Sequence, residues 1–360
     1  MADAADVPPW REPVRGGYPG PEMSRLAGID MLRAMVRGEA PAPPIGHLTG
    51  MAPTEIGRGT ATFTMPASSW LLSPQGLISV GTLAILADGP LGCAVQTSLP
   101  AGARYATSEL SLRLLRPARA GGKLIARGTL VHGGRAIALS NVQILDDRGR
   151  LLADGSSLCF ITPPSDKPQT TQEETPRPES VNPKSDTPDP FERPPLGEVL
   201  TQDLVWDRLS GREVLERQLA SDLPSPPMHY LTGVGPSEIV AGEATFTLPC
   251  HEWLCSPLGT VEGGMIAMLA DSALVAAVQT NAPAGAALGA IDLKVNFLRP
   301  VFPDGRELVA RGRVRHSGRT ITVAEAEVVN ADGKTVALAT GSALILPGRS
   351  SSLAGMDSEA

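Results

Sequence analysis

Two aspartates stand where a carboxylate is costly. Asp88 follows Leu86-Ala87 and Asp271 follows Leu269-Ala270, each inside an Ala-rich apolar segment, 81–97 or 264–280. A charge buried among Ala, Leu and Met must be paired, face a wet cleft, cap a neighbouring element or have a task. Gly263 and Gly264 lie where the second apolar segment should begin as a helix. Amides at a helix start are unpaired and partly positive, so they can hold a developing oxyanion, and glycine lets backbone approach a substrate closely. A tight turn into the helix explains the two glycines equally well.

Gly263 and Asp271 are eight positions apart, about 12 Å along a helix. One small reacting carbonyl cannot touch both, so amide and carboxylate must come from different helices. The chain supplies two, because it contains itself twice. From Arg25-Leu26-Ala27-Gly28 and Arg208-Leu209-Ser210-Gly211 two segments run in one register to Arg116-Pro117 and Arg299-Pro300, pairing Trp70 with Trp253 and Asp88 with Asp271. So long a period indicates a duplicated domain rather than a solenoid unit.

With 360 residues, two ordinary domains fit. A net charge of −7 and a pI near 5.4 exclude a basic, nucleic-acid-binding character. The longest apolar stretch, Met265 to Val278, is interrupted by Asp271 and Ser272 and is too short to span a bilayer. Residues 1–22 carry no apolar run of a signal peptide, so a cytoplasmic location is expected. Cys93, Cys159, Cys250 and Cys255 do not recur between copies and read as free thiols. Cys250-His251-Glu252-x-x-Cys255 offers zinc-type ligands, but its mate, Ala67 to Leu72, has none, and no metal is expected.

Each copy repeats one order of elements. A short helix (about 24–37 and 207–220) leads to a Pro-rich turn and two strands (48–56 and 59–65; 231–240 and 242–249). The apolar segment follows, too long for a strand and apolar on nearly every face, so a helix wrapped by sheet is expected. Ile291, Leu293, Val295 and Phe297 then alternate with polar residues as in a half-buried strand, and hairpin signals stand at Gly133-Gly134, Arg148-Gly149, Ser317-Gly318 and Asp332-Gly333. The expected layout is a disordered segment 1–22, a domain at 23–162, a Pro-rich flexible linker at 163–198, a domain at 199–347 and a disordered tail at 348–360.

A long buried helix followed by an antiparallel meander is the hotdog arrangement. Gly259-Thr260-Val261-Glu262-Gly263-Gly264, with Leu269-Ala270-Asp271 after it, resembles the G-x-x-H-G-G and L-x-D signature of the PaaI-like hotdog thioesterases, and Asp292 to Pro300 resembles that family's next strand. The resemblance implies an α+β fold of two hotdog domains paired as an intramolecular pseudo-dimer, with further homo-oligomerisation possible. It implies hydrolysis of an acyl-coenzyme A thioester, without metal or redox cofactor, by Asp88 or Asp271 as general base or nucleophile.

Carried across the pair, the resemblance implies two unequal sites. One joins the Gly263 amide, Glu262, Asp88 and Thr107; the other joins the Val80 amide, Ser79, Asp271 and Ala290. Thr107 would orient the water, which makes the Asp88 site the more complete. Glu262 and Ser79 replace the family's His, and Ser256 and Ser73 replace an Asn that supports the carbonyl. Glu262 beside Asp88 is expected to raise the pKa of that base. Gly264 and Ser256 would touch substrate, and the hairpin residues Arg135 and Arg319 could hold coenzyme A phosphates, while His132 and His316 nearby read as structural. Two rivals remain. One is a non-catalytic acyl-coenzyme A binding protein on the same scaffold, which the missing His and Asn favour. The other is a hotdog hydratase, which would need a His at the helix start.

Overall fold

The computed structural model describes residues 7–164 and 187–353. In the first copy, helices α1 (Gly28–Val36) and α2 (Pro44–Thr49) precede strands β1 (Ala52–Gly57) and β2 (Thr60–Pro66), then the long helix α3 (Val80–Gln96). The meander β3 (Arg104–Leu114), β4 (Lys123–Gly133), β5 (Ile137–Leu145) and β6 (Leu151–Thr162) completes the domain. The second copy repeats it with α4 (Gly211–Leu219), α5 (Pro227–Thr232), β7 (Gly235–Val240), β8 (Glu243–Pro249), α6 (Gly263–Gln279), β9 (Ala286–Phe297), β10 (Glu307–Ser317), β11 (Ile321–Val329) and β12 (Thr335–Pro347). Each half is a hotdog: one buried helix with antiparallel sheet around it.

All strands join one antiparallel sheet in the order β1-β2-β4-β5-β6-β3-β9-β12-β11-β10-β8-β7. The halves meet at its centre, where β3 pairs with β9 and Leu112 faces Leu293. The repeats therefore pair with each other within one chain. Along the strands inward positions are apolar and outward ones polar, the period of a sheet covered on one side.

Helices α3 and α6 pack against each other at the hub. A Cβ on Gly81 would stand 2.4 Å from the Asp271 Cβ, and one on Gly264 would stand 2.5 Å from the Ile85 Cα. Both positions must be glycine for the helices to approach this closely. Their Ala-rich flanks, including Ala84, Ala87, Ala267 and Ala270, are fully buried. This contact brings each helix's start to the other helix's aspartate.

Four expectations change. The strand expected from residue 48 instead begins at Ala52, because Pro44 starts a short helix that Gly50 stops with φ 75°; the second copy repeats this at Pro227 and Gly233. Residues 7–22, expected to be disordered, form a strap: Glu12 O accepts from Trp253 Nε1 at 3.0 Å and Trp10 stacks on His251. Residues 187–198, expected within the flexible linker, form the matching strap on the first copy, where Arg193 O accepts from Trp70 Nε1 at 2.8 Å. Each tryptophan N–H, buried with an apolar ring, needs an acceptor, and the strap backbone supplies it. Glu12–Arg193 and Arg15–Asp189 ion pairs clamp the straps to each other. Residues 348–353, expected within the disordered tail, are anchored by Leu353, which is buried against Leu77 and Ala287. The rest of the expected linker (165–186) and tail (354–360), and residues 1–6, lie outside the described residues.

Candidate active site

The α3–α6 contact builds two reciprocal carboxylate–amide sites. At one, Asp271 Oδ2 accepts from the Gly81 N–H at 2.9 Å and from Ser79 Oγ at 3.0 Å. At the other, Asp88 Oδ2 accepts from the Gly264 N–H at 3.2 Å. Each aspartate thus caps the opposite helix, where the first-turn amides have no intrahelical acceptor. Burial pushes each carboxyl up to about 6, the amides pulling the other way. Capping and readiness for acid–base work are one arrangement here.

Beyond this shared geometry the sites diverge. Asp271 opens on a cleft that encloses, mouth included, about 1010 Å³. Its far oxygen, Oδ1, has no hydrogen-bond partner. Ser79, Val80, Leu288 and Ala290 line the cleft with Asp271, as do Ser272 and Val275 of α6 and residues of α4 and α5. Ser79 also caps α3, its Oγ accepting from the Thr82 N–H, so its own proton is directed at Asp271. The Val80 amide, next in the chain, belongs to the same wall.

Near Asp88, which is partly exposed where Asp271 is buried, the equivalent positions carry different side chains. Leu288 has Tyr105 as its mate, and Val275 has Gly92. A Cβ on Gly92 would stand 2.2 Å from the Tyr105 hydroxyl, so the phenol lies directly on the backbone of α3. Burial drives the Tyr105 hydroxyl well above its ordinary range, and the charges of nearby Cys93, Cys159, Asp88 and Glu262 add to it. Glu262, where the second site has Ser79, is 6 % exposed and its Oε2 has no partner. Desolvation first, and then the Asp88 charge, push its carboxyl well above the usual range. Glu262 was expected to raise Asp88; burial does that, and the effect of the pair falls on Glu262.

The other expected site residues divide between the two places. Gly263 lies against Asp88, its Cβ position 2.9 Å from Asp88 Oδ2 and 3.4 Å from the Phe297 ring. Thr107, expected to orient a water, stands opposite Cys159 in the register of β3 with β6. Ser256 shapes the turn before α6, its N–H donating to Thr260 O at 2.9 Å, whereas its mate Ser73 lines the cleft. Arg135 and Arg319 are exposed at their hairpins and neither lines the cleft. The zinc-type motif is engaged otherwise: His251 Nε2 contacts Thr232 O at 3.0 Å, and Cys250 and Cys255 are buried thiols. Among the described residues no three His, Cys, Asp or Glu side chains converge as metal ligands.

Sequence reasoning passed over Tyr105 and Leu288, the pair that distinguishes the two sites. Their signal was present as an unequal pair at equivalent positions, two residues before Thr107 and Ala290.

A duplicated hotdog with a carboxylate facing a helix-start amide across the pair defines the class. The thioesterase superfamily model matches residues 75–153 and again 258–337. The acyl-coenzyme A thioesterase PaaI of Escherichia coli is 35% identical over 100 residues, which cover 28% of this chain and 69% of that protein. The chain belongs to the thioesterase superfamily. Two solved structures share the fold over both copies. The tesB protein of Mycobacterium avium subspecies paratuberculosis is 14% identical with a TM-score of 0.51, and the acyl-CoA thioesterase II TesB2 of Mycobacterium marinum is 12% identical with a TM-score of 0.50. Each alignment covers 84% of this chain and 98% of the other. No helix among the described residues is long and apolar enough to cross a membrane.

Proposed function

We propose that the protein is an acyl-coenzyme A thioesterase whose reaction runs at Asp271. The observation that carries this is the cleft, which Asp271 lines together with Ser79 and Val80 at the start of α3, while Asp271 Oδ1 has no partner among the described residues. Asp271, ionised above about pH 6, takes a proton from a water through Oδ1 while the water oxygen attacks the thioester carbon. The carbonyl electrons move onto its oxygen, which the Val80 N–H at the α3 start holds. Collapse of this adduct breaks the carbon–sulfur bond. The proton held by Asp271 passes to the leaving coenzyme A sulfur, which leaves a free acid and the ionised aspartate.

Ser79 and Gly81 fix Oδ2 and leave Oδ1 for the water. Glu262 and Tyr105 take no part, and Asp88 caps α6. This reverses the order expected from the sequence, in which Asp88 came first. The proposed chemistry runs on water, a carboxylate and backbone amides, and calls for no cofactor. A cytoplasmic location belongs to the same proposal, since coenzyme A thioesters are intracellular metabolites.

The test is thiol release from short, medium, long and aromatic acyl-coenzyme A substrates by the full chain, with Asp271→Asn and Asp88→Asn beside it. Loss of release in Asp271→Asn with activity kept in Asp88→Asn is the expected result. The opposite pattern would return the reaction to Asp88, and binding without release in the unsubstituted protein would end the thioesterase reading.

A further inference from the structure

A polar bridge bounds the cleft where α6 ends. Asp271, Val275, Ala276 and Gln279 of α6 line the cleft in turn, and from Asp271 to Gln279 is about 12 Å along the helix. There Gln75 Nε2 donates to Gln279 Oε1 at 3.1 Å. Beyond lies a second, smaller recess of about 280 Å³, mouth included, lined by Trp206, Leu209, Pro283 and Ala286 among others. Gln75, Gln279 and Leu288 line both spaces and so form the partition between them.

Both halves of the bridge are held in place. Gln279 is buried, and its Nε2 donates to Gly211 O at 3.2 Å, which leaves its Oε1 turned to Gln75. Gln75 sits in a turn closed by the Ser73 N–H to Leu77 O at 2.9 Å and the Gly76 N–H to Ser73 O at 3.0 Å. The Leu200 N–H adds a bond to Pro74 O at 2.9 Å, tying the turn to the second copy's leading segment. The internal repeat supplies a control. Gln279 has Gln96 as its mate, whereas Gln75 has Leu258, which is 65 % exposed and has no side-chain donor. The bridge is therefore built only on the Asp271 side.

We propose that the Gln75–Gln279 bridge is the stop for the acyl chain, so that the protein takes unbranched acyl thioesters no longer than the run from Asp271 to Gln279. The proposal rests on the thioesterase reading above. An alkyl tail suits this arm of the cleft better than the coenzyme does, because no charged residue lines the recess and phosphates would find no cation there. An alkyl chain also carries no donor or acceptor, so forcing it between two carboxamides leaves both unpaired. A short chain avoids that cost and a long one meets it. With the Gln75 side chain removed, the recess would join the cleft and admit the rest of a longer tail.

The experiment compares kcat/KM for hexanoyl-, decanoyl- and tetradecanoyl-coenzyme A, using the full chain and its Gln75→Ala and Gln75→Leu variants. Ratios between substrates are read within each variant, so a partly unfolded sample does not distort them. In the unsubstituted protein the tetradecanoyl thioester, whose extended chain exceeds the run to the bridge, should fall below the best shorter one by about tenfold or more. That ratio should come to near unity in Gln75→Ala and be retained in part by Gln75→Leu, which keeps most of the bulk. No loss with length in the unsubstituted protein, or the same loss in Gln75→Ala, overturns the assignment. If nothing is hydrolysed, the same ligands are compared by calorimetric binding. Affinity that drops at tetradecanoyl and recovers in Gln75→Ala upholds the stop while the thioesterase reading falls; a length dependence unmoved by Gln75→Ala overturns both.

Discussion

Asp88 and Asp271 sit at equivalent positions, cap equivalent helices and are pushed to the same pKa near 6, yet only Asp271 faces the cleft described above. The difference arises at neighbours rather than at the carboxylates. Tyr105 stands for Leu288 and Glu262 for Ser79, so a phenol and a second carboxyl stand by one aspartate while the other lines the cleft. A carboxylate with a raised pKa is therefore not a sufficient mark of activity. The space beside it decides.

The comparison is broken most directly by exchanging the aspartates' fates. Asp271→Asn should lower kcat/KM by about 10²–10⁴, while Asp88→Asn changes it less than about threefold, read by steady-state kinetics. Next in size, Leu288→Tyr gives the Asp271 site the residue that stands in the other one. Activity should fall by roughly a hundredfold for lack of room, while a thermal melt shows the fold intact.

Acidity sharpens the comparison further. Because Asp271 must be ionised, kcat/KM should rise tenfold per pH unit below about 6 and level off above it. A profile flat from pH 5 to 8 would remove Asp271 from the role of base.

The smallest effect concerns stability. Each aspartate's folded pKa of about 6 lies above its ordinary 3.8, so between these values the folded state binds more protons than the unfolded one. Stability then falls as pH rises through that window and stays lower above it. Asp88→Asn keeps an acceptor for the Gly264 N–H and should gain on the order of 2 kcal/mol at pH 8, with little gain at pH 4, measured by urea unfolding.

Much of this could be read from the chain before folding. The duplication, the helices around Asp88 and Asp271, and the need for amide and carboxylate to come from different copies follow from spacing and helix geometry alone. So does the glycine at positions 81 and 264, although the reason, helix–helix approach, needs coordinates. The ranking of the sites was not legible, because it rested on Thr107, and strand direction cannot be fixed across a bulge, such as the one between Thr107 and Glu109. The straps escaped notice because Pro9-Trp10-Arg11-Glu12 and Pro190-Phe191-Glu192-Arg193 are short and sit in Pro-rich surroundings whose composition suggests disorder.

Those straps carry a consequence for biosynthesis. The cover for Trp70 is made of residues near Arg193, and the cover for Trp253 is made of residues near Glu12. A ribosome releases the first copy well before the segment that shields its tryptophan, while the N-terminal arm waits for a surface that does not yet exist. The leading half must persist unfinished, with apolar surface open to other chains, until its sibling arrives.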